Sequence, residues 1–112
     1  MSTLGNTVDL AMPVETTASY YENKSVDPRW GGVTKSGEKF DENKLTAAVP
    51  PKYWKKYKGR NLIVSSGNKS VTVKVNDTGG FEKYGRGIDL SKAAFKQLGD
   101  TKLGTLKVKI KE

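Results

Sequence analysis

The chain has 112 residues, 35% of them hydrophobic, with a mean hydropathy of -0.63, which fits one domain with a modest core and contains no apolar run long enough to span a membrane. It has neither cysteine nor histidine. This excludes disulfides, thiol and imidazole chemistry and the usual zinc ligand sets, and leaves proton transfer to carboxylates, tyrosines or lysines. Twenty Lys and Arg against twelve Asp and Glu give +8, a field that attracts anionic partners, among which nucleic acid, phospholipid and anionic wall polymers all qualify.

Residues 1–13 show neither steady periodicity nor caps, and no basic region followed by an apolar core of the secretory type. They are expected to form a leader lying on the domain or partly mobile, with the domain itself occupying 14–112. Residues 16–21 are a β-prone run, and the polar loop that follows is marked by Asp27-Pro28 and Gly31-Gly32 turns. Ser36-Gly37 signals another turn, Phe40 is an apolar anchor, and 45–49 is a short buried run. Pro50 and Pro51 end that run and start a helical turn through Tyr53, Trp54 and Tyr57, because proline is tolerated in a first turn. Segments 60–65 and 70–76, on either side of Ser66-Gly67-Asn68-Lys69, read as a hairpin.

In that second segment Val71, Val73 and Val75 alternate with Thr72, Lys74 and Asn76, the period of a half-buried strand. Asp77 continues the parity of the valines, which predicts a carboxyl at the mouth of the interior where Gly79 and Gly80 turn the chain away. A partly desolvated carboxyl tends to hold its proton and can act as a general acid. The plainer reading is that Asp77 caps the turn through its side chain.

Beyond the glycines, Asp89 or Ser91 is positioned to cap a helix carrying Leu90, Ala93, Ala94 and Leu98 on one face, with Gly99 as its stop. Residues 104–111 alternate Leu106, Val108 and Ile110 with Lys107, Lys109 and Lys111, a strand with one wet face. A second basic cluster comprises Lys52, Lys55, Lys56, Lys58 and Arg60. Either cluster reads most simply as a solvated face. Short strands with one or two short α-helices and no regular βαβ alternation predict a mainly β fold, a small closed barrel.

Five motifs then stand in order: ASYYE at 18–22, TKSGEKFD at 34–41, LTAAVP at 45–50, VNDTGGF at 75–81 and GRGIDLSKAAFKQLG at 85–99. Together they resemble the double-psi β-barrel domain of the rare lipoprotein A family of septal lytic transglycosylases, with more distant kinship to expansins. The resemblance covers about 14–110 and implies a six-stranded double-psi β-barrel. It also implies cleavage of peptidoglycan between N-acetylmuramic acid and N-acetylglucosamine, with an anhydro sugar end formed without water. Glu38 matches the family's Glu and Asp77 its Asp. Where the family has His after LTAA this chain has Val49, and the Arg and Pro of its NDRGPF motif are Thr78 and Gly80.

Glycosidic cleavage needs an acid on the leaving oxygen and negative charge near the anomeric carbon. Under the resemblance Asp77 is the acid that then serves as base. Glu38 stands opposite, raising the Asp77 pKa or holding substrate. Tyr21 and Trp30, with Tyr20, are the aromatic faces for sugar, Ser36 and Asn76 orient the acids, and Lys35 meets an anionic group of the substrate. Asp89 is assigned to the helix cap.

The expected partner is the peptidoglycan glycan strand, cut by transglycosylation or by muramidase-type hydrolysis, with no cofactor and no metal. A lysin of phage or bacterial type fits the compact basic chain. No nucleic-acid partner is expected, since the basic clusters carry no stacking platform. A monomer acting in the cell wall or periplasm follows, reaching it by a route other than a signal peptide or after processing. The alternative is a non-catalytic, expansin-like wall-binding module, which the missing His favours.

Overall fold

The computed structural model describes residues 11–23 and 32–112. Six strands close into a barrel: β1 (Glu15–Tyr21), β2 (Thr46–Val49), β3 (Asn61–Ser66), β4 (Lys69–Thr78), β5 (Ile88–Ser91) and β6 (Leu106–Lys111), in the spatial order β1-β5-β2-β4-β3-β6. Two short helices accompany them, α1 (Pro51–Tyr57) and α2 (Lys92–Lys96). This is the small six-stranded barrel that the motif order implies. No described helix is long and apolar enough to cross a membrane.

The hairpin forms where the alternation places it. β3 and β4 pair antiparallel from Asn61↔Lys74 to Ser66↔Lys69, and the turn between them needs a left-handed residue, which Gly67 supplies at φ 61°. Leu62, Val64, Val71, Val73 and Val75 then point into one core with Ala18, Ile88, Leu90 and Val108. Two parallel ladders, β1 with β5 and β2 with β4, tie distant parts of the chain together.

Ser91, rather than Asp89, caps α2: its Oγ accepts from the Ala94 amide at 3.3 Å and donates to the Lys44 carbonyl at 2.6 Å. The segment read as the start of that helix is instead β5. Leu90, placed on a helical face by its spacing, is a fully buried strand residue. The reason is tertiary: Ser19, Tyr20 and Tyr21 offer a parallel edge to Asp89, Leu90 and Ser91, and long-range pairing overrides the local pattern.

The alternation along β4 also breaks. Ala47 faces Val75 and Ala48 faces Asp77, so Asn76 has no counterpart on β2, and Val75 and Asn76 are both buried in succession. This bulge redirects the strand end. Asp77 therefore reaches its position through the extra residue, not through the parity of the valines.

Gly87 is required by a close approach: a Cβ there would collide with the Thr16 side chain, while its amide donates to the Thr17 carbonyl at 2.9 Å. Below the barrel, the Tyr57 hydroxyl is shared by the Met12 amide, which donates to it at 3.0 Å, and Glu112, whose Oε2 accepts from it at 2.9 Å.

Candidate active site

A groove of about 400 Å³ opens where β1, β2, β4 and β5 end, lined among others by Tyr21, Asp77, Phe81, Arg86 and Asp89. Asp77 is held as an acceptor. The amides of Lys35 and Thr78 both donate to its Oδ1 at 2.9 Å, and the Tyr21 hydroxyl donates to Oδ2 at 3.2 Å. Burial, and then the charge of Asp77, push the Tyr21 pKa well above its ordinary value, so the phenol keeps its proton and remains a donor. Its ring stacks on Phe40 at 4.2 Å, which fixes the hydroxyl.

Asp89 is the second carboxyl of the groove. Burial raises its pKa above the usual carboxylate range, opposed by the Ser19 hydrogen bond and the Arg86 charge, and the Asp77 charge raises it further. The Ser19 hydroxyl accepts from Arg86 Nη1 at 2.8 Å and donates to Asp89 Oδ1 at 2.7 Å. A hydroxyl has one proton and a guanidinium only donates, so the direction of this chain is fixed. With Oδ1 taken by Ser19, Oδ2 is the oxygen that can carry a proton without reversing this chain. Arg86 itself lies 5.7 Å from the Phe81 ring and 5.5 Å from that of Tyr84.

Glu38 stands outside the groove lining, on the 34–38 turn beside it. Its side chain is 44% exposed and 3.5 Å from Lys74 Nζ. A hydrogen bond from Ser36 Oγ at 3.0 Å, with Lys74 and Lys44 nearby, lowers its pKa. The turn is nevertheless tied to the site, because the Lys35 amide holds Asp77 and the Ser36 amide donates to the Asn76 carbonyl at 3.1 Å.

The remaining sequence-chosen residues divide. Lys35 meets Asp77 through its backbone, and Ser36 orients Glu38. Asn76 is buried with its Oδ1 unpartnered and bonds to neither acid. Tyr20 lines the groove, but its hydroxyl donates to the Thr101 carbonyl at 3.2 Å and its ring packs 4.8 Å from Phe95. Trp30 lies outside the described residues. Sequence reasoning missed Arg86 and Ser19 as site residues. The signal available was that both lie inside two of the quoted motifs, ASYYE and GRGIDLS. Val49 is fully buried, and the groove forms without it.

The lytic transglycolase family profile matches residues 14–110. The chain belongs to this family. Its curated relatives include the endolytic peptidoglycan transglycosylase RlpA of Neisseria meningitidis serogroup A, 42% identical over 86 residues that make up 73% of this chain and 33% of that protein. RlpA of Pseudomonas aeruginosa is 42% identical over 98 residues, 84% of this chain and 26% of that protein. The chain thus spans about a third or less of these relatives. Among solved structures, the Streptomyces papain inhibitor superposes with a TM-score of 0.69 at 22% identity, covering 93% of this chain and all of the inhibitor. An expansin of Clavibacter michiganensis gives 0.68 at 20% identity, over 88% of this chain and 48% of that one. These two likenesses concern the fold.

Proposed function

We propose that this family member cleaves peptidoglycan glycan strands between N-acetylmuramic acid and N-acetylglucosamine as a lytic transglycosylase. The observation that carries the reading is the convergence of Asp77 and Asp89 in one tyrosine-lined groove, with environments that divide their tasks. The chemistry needs one carboxyl to give and take back a proton and negative charge near the anomeric carbon, and two acids in one groove can supply both. The relatives' names point to the same substrate.

The sequence pattern gives the proton to Asp77. The surroundings favour Asp89 for that step, because burial shifts its pKa upward, toward the protonated form, and the Ser19 contact occupies Oδ1 and leaves Oδ2 to carry a proton. Asp89 Oδ2 protonates the glycosidic oxygen as the bond to the anomeric carbon breaks. Asp77, held by three donors, faces the positive charge developing at that carbon. The 6-hydroxyl of the muramic acid then bonds to the anomeric carbon and gives its proton to the Asp89 carboxylate, which restores the acid and leaves the anhydro end. Glu38 and Lys35, on the turn that fixes Asp77, contact the sugar at the groove rim, and Tyr21 supports it. The protein acts as a monomer in the cell envelope.

Incubation of purified sacculi with the protein, followed by mass spectrometry of soluble products, tests this. Anhydro-muropeptides are expected, and both Asp77→Asn and Asp89→Asn should release none. Reducing ends would instead mean muramidase-type hydrolysis, the activity of a lysin. The second reading, an expansin-like wall-binding module, is favoured by the burial of Val49 where the family pattern has His. Undiminished sacculus binding with no soluble product would establish it.

A further inference from the structure

Among the described residues Tyr84 is the one aromatic side chain that stands mostly in water, 67% exposed. A lone exposed ring is ordinary on a protein surface, and what distinguishes this one is where the chain puts it. From Asp77 the backbone passes through Gly79 and Phe81, both in the groove wall, makes the 3-10 turn Glu82–Tyr84, and rejoins the wall at Arg86. Tyr84 is thus the crest of a loop whose two legs line the site.

The crest is ordered by its own backbone. The Tyr84 amide donates to the Phe81 carbonyl at 3.0 Å and the Gly85 amide to the Glu82 carbonyl at 2.9 Å, and Gly85 reverses the chain at φ 79°. The ring is held by a groove residue, with the Arg86 guanidinium 5.5 Å from its centre. Arg86 is in turn tied to Ser19 and lies 5.7 Å from the buried Phe81 ring.

Arg86 joins this ring to one acid. Contacts in series run from the Tyr84 ring to the guanidinium, from Nη1 to the Ser19 hydroxyl, and from that hydroxyl to Asp89. Asp77 is held by a different set, the Tyr21 hydroxyl and the amides of Lys35 and Thr78. Tyr84 therefore belongs to the Asp89 side of the site. Among the described residues Arg86 makes no ion pair and one hydrogen bond, to Ser19, and its Nε is unpartnered. A guanidinium has several N–H donors, so donors remain for a ligand oxygen. A pyranose lays its C–H face on an aromatic ring and turns its polar edge to hydrogen-bonding groups. An open phenol ring beside an underused guanidinium offers both.

We infer that Tyr84 and Arg86 form a subsite for the N-acetylglucosamine that departs with the glycosidic oxygen. The inference rests on the cleavage reading, which makes the sugar on the Asp89 side the leaving one. Phe81 and Arg86 set the wall of the subsite, and Tyr84 is its stacking face.

Titration of the isotope-labelled protein with tri-N-acetylchitotriose, followed by NMR, tests it. This oligosaccharide carries the leaving sugar and no muramic acid, so binding is read without reference to wall cleavage. Wild type should show shift changes at Gly85 and at the Arg86 side chain. Tyr84→Ala should bind about fivefold more weakly, and Tyr84→Trp at least as tightly as wild type. Ile63→Ala, which trims an exposed apolar residue on β3, should bind as wild type does, and equal thermal midpoints confirm that each variant is folded. On isolated glycan strands Tyr84→Ala should raise KM and leave kcat nearly unchanged. The proposal is overturned if wild type does not bind, if Tyr84→Ala binds as well as wild type, or if Ile63→Ala loses as much. Binding that depends on Tyr84 in a protein that releases no soluble product from sacculi supports the sugar subsite and overturns only the cleavage reading.

Discussion

Ser19 stands directly opposite Asp89 in the parallel ladder of β1 and β5, and its hydroxyl donates to Asp89 Oδ1 over 2.7 Å. Seventy residues separate the two in the chain. The contact stabilises the ionised form of Asp89, against the burial that disfavours it. Ser19→Ala removes the stabilising donor, so the Asp89 pKa should rise further. The alkaline limb of the pH–rate profile, where the acid loses its proton, should move to higher pH. A profile of product release from sacculi checks this, and Ser19→Thr, which keeps the hydroxyl, should restore the original limb.

Asp89 also makes stability depend on pH. Its folded-state pKa is raised above the unfolded value, so its contribution is fully present below the ordinary carboxylate range and is lost as pH rises through the raised value. Asp89→Asn, which keeps an acceptor for Ser19, should therefore unfold at a higher temperature than wild type at pH 7. At pH 3 the difference should vanish. Thermal melts at the two pH values measure it, and the variant should be catalytically silent at both.

Tyr21→Phe should separate support from chemistry. The variant keeps the ring stacked on Phe40 and deletes only the donor to Asp77 Oδ2. Loss of one hydrogen bond to a charged group predicts a fall in turnover of about tenfold, with thermal stability lowered by about 1.5–3 kcal/mol. Single-turnover kinetics on isolated glycan strands distinguish this from a change in substrate affinity.

Gly87→Ala should destabilise the barrel at the β1–β5 seam, because the added methyl meets the Thr16 side chain. Overpacking of this kind costs about 1–3 kcal/mol. A matching Thr16→Ala change should recover most of it, as read by urea unfolding of the single and double variants. Tyr57→Phe, by contrast, should lose about 1–3 kcal/mol irrecoverably, since the Met12 amide is left buried and unpaired.

The parts of this architecture that were legible in the sequence are those where local pattern and final structure agree. The valine alternation and the glycine turn gave the β3–β4 hairpin, the paired prolines gave the start of α1, and the lysine alternation gave β6. β5 was not legible because four residues carry too little periodicity and its partners come from β1. The valine parity points to Asp77 for a reason that the fold does not use, since a bulge at Asn76 leaves no mark in residue type. Asp89 and Ser91 both read as caps because each stands just before the helix, and only the Ser91 contacts show which of them fills the role. Glu38, marked by its motif, stands beside the groove, while the acid that lines it together with Asp77 belongs to a strand that local pattern does not reveal.

The ladder between β1 and β6 seals the barrel, joining Glu15–Ala18 near one end of the chain to Leu106–Lys109 near the other. Such remote pairings form late, after the loop between them has been closed. A ribosome-bound chain that stops before Leu106 already contains every acid, ring and hydroxyl of the groove, yet it lacks the strand that completes the wall holding Ser19 in place. The groove thus depends on a strand that supplies none of its lining: until Leu106–Lys109 pairs with Glu15–Ala18, the wall behind Ser19 is open.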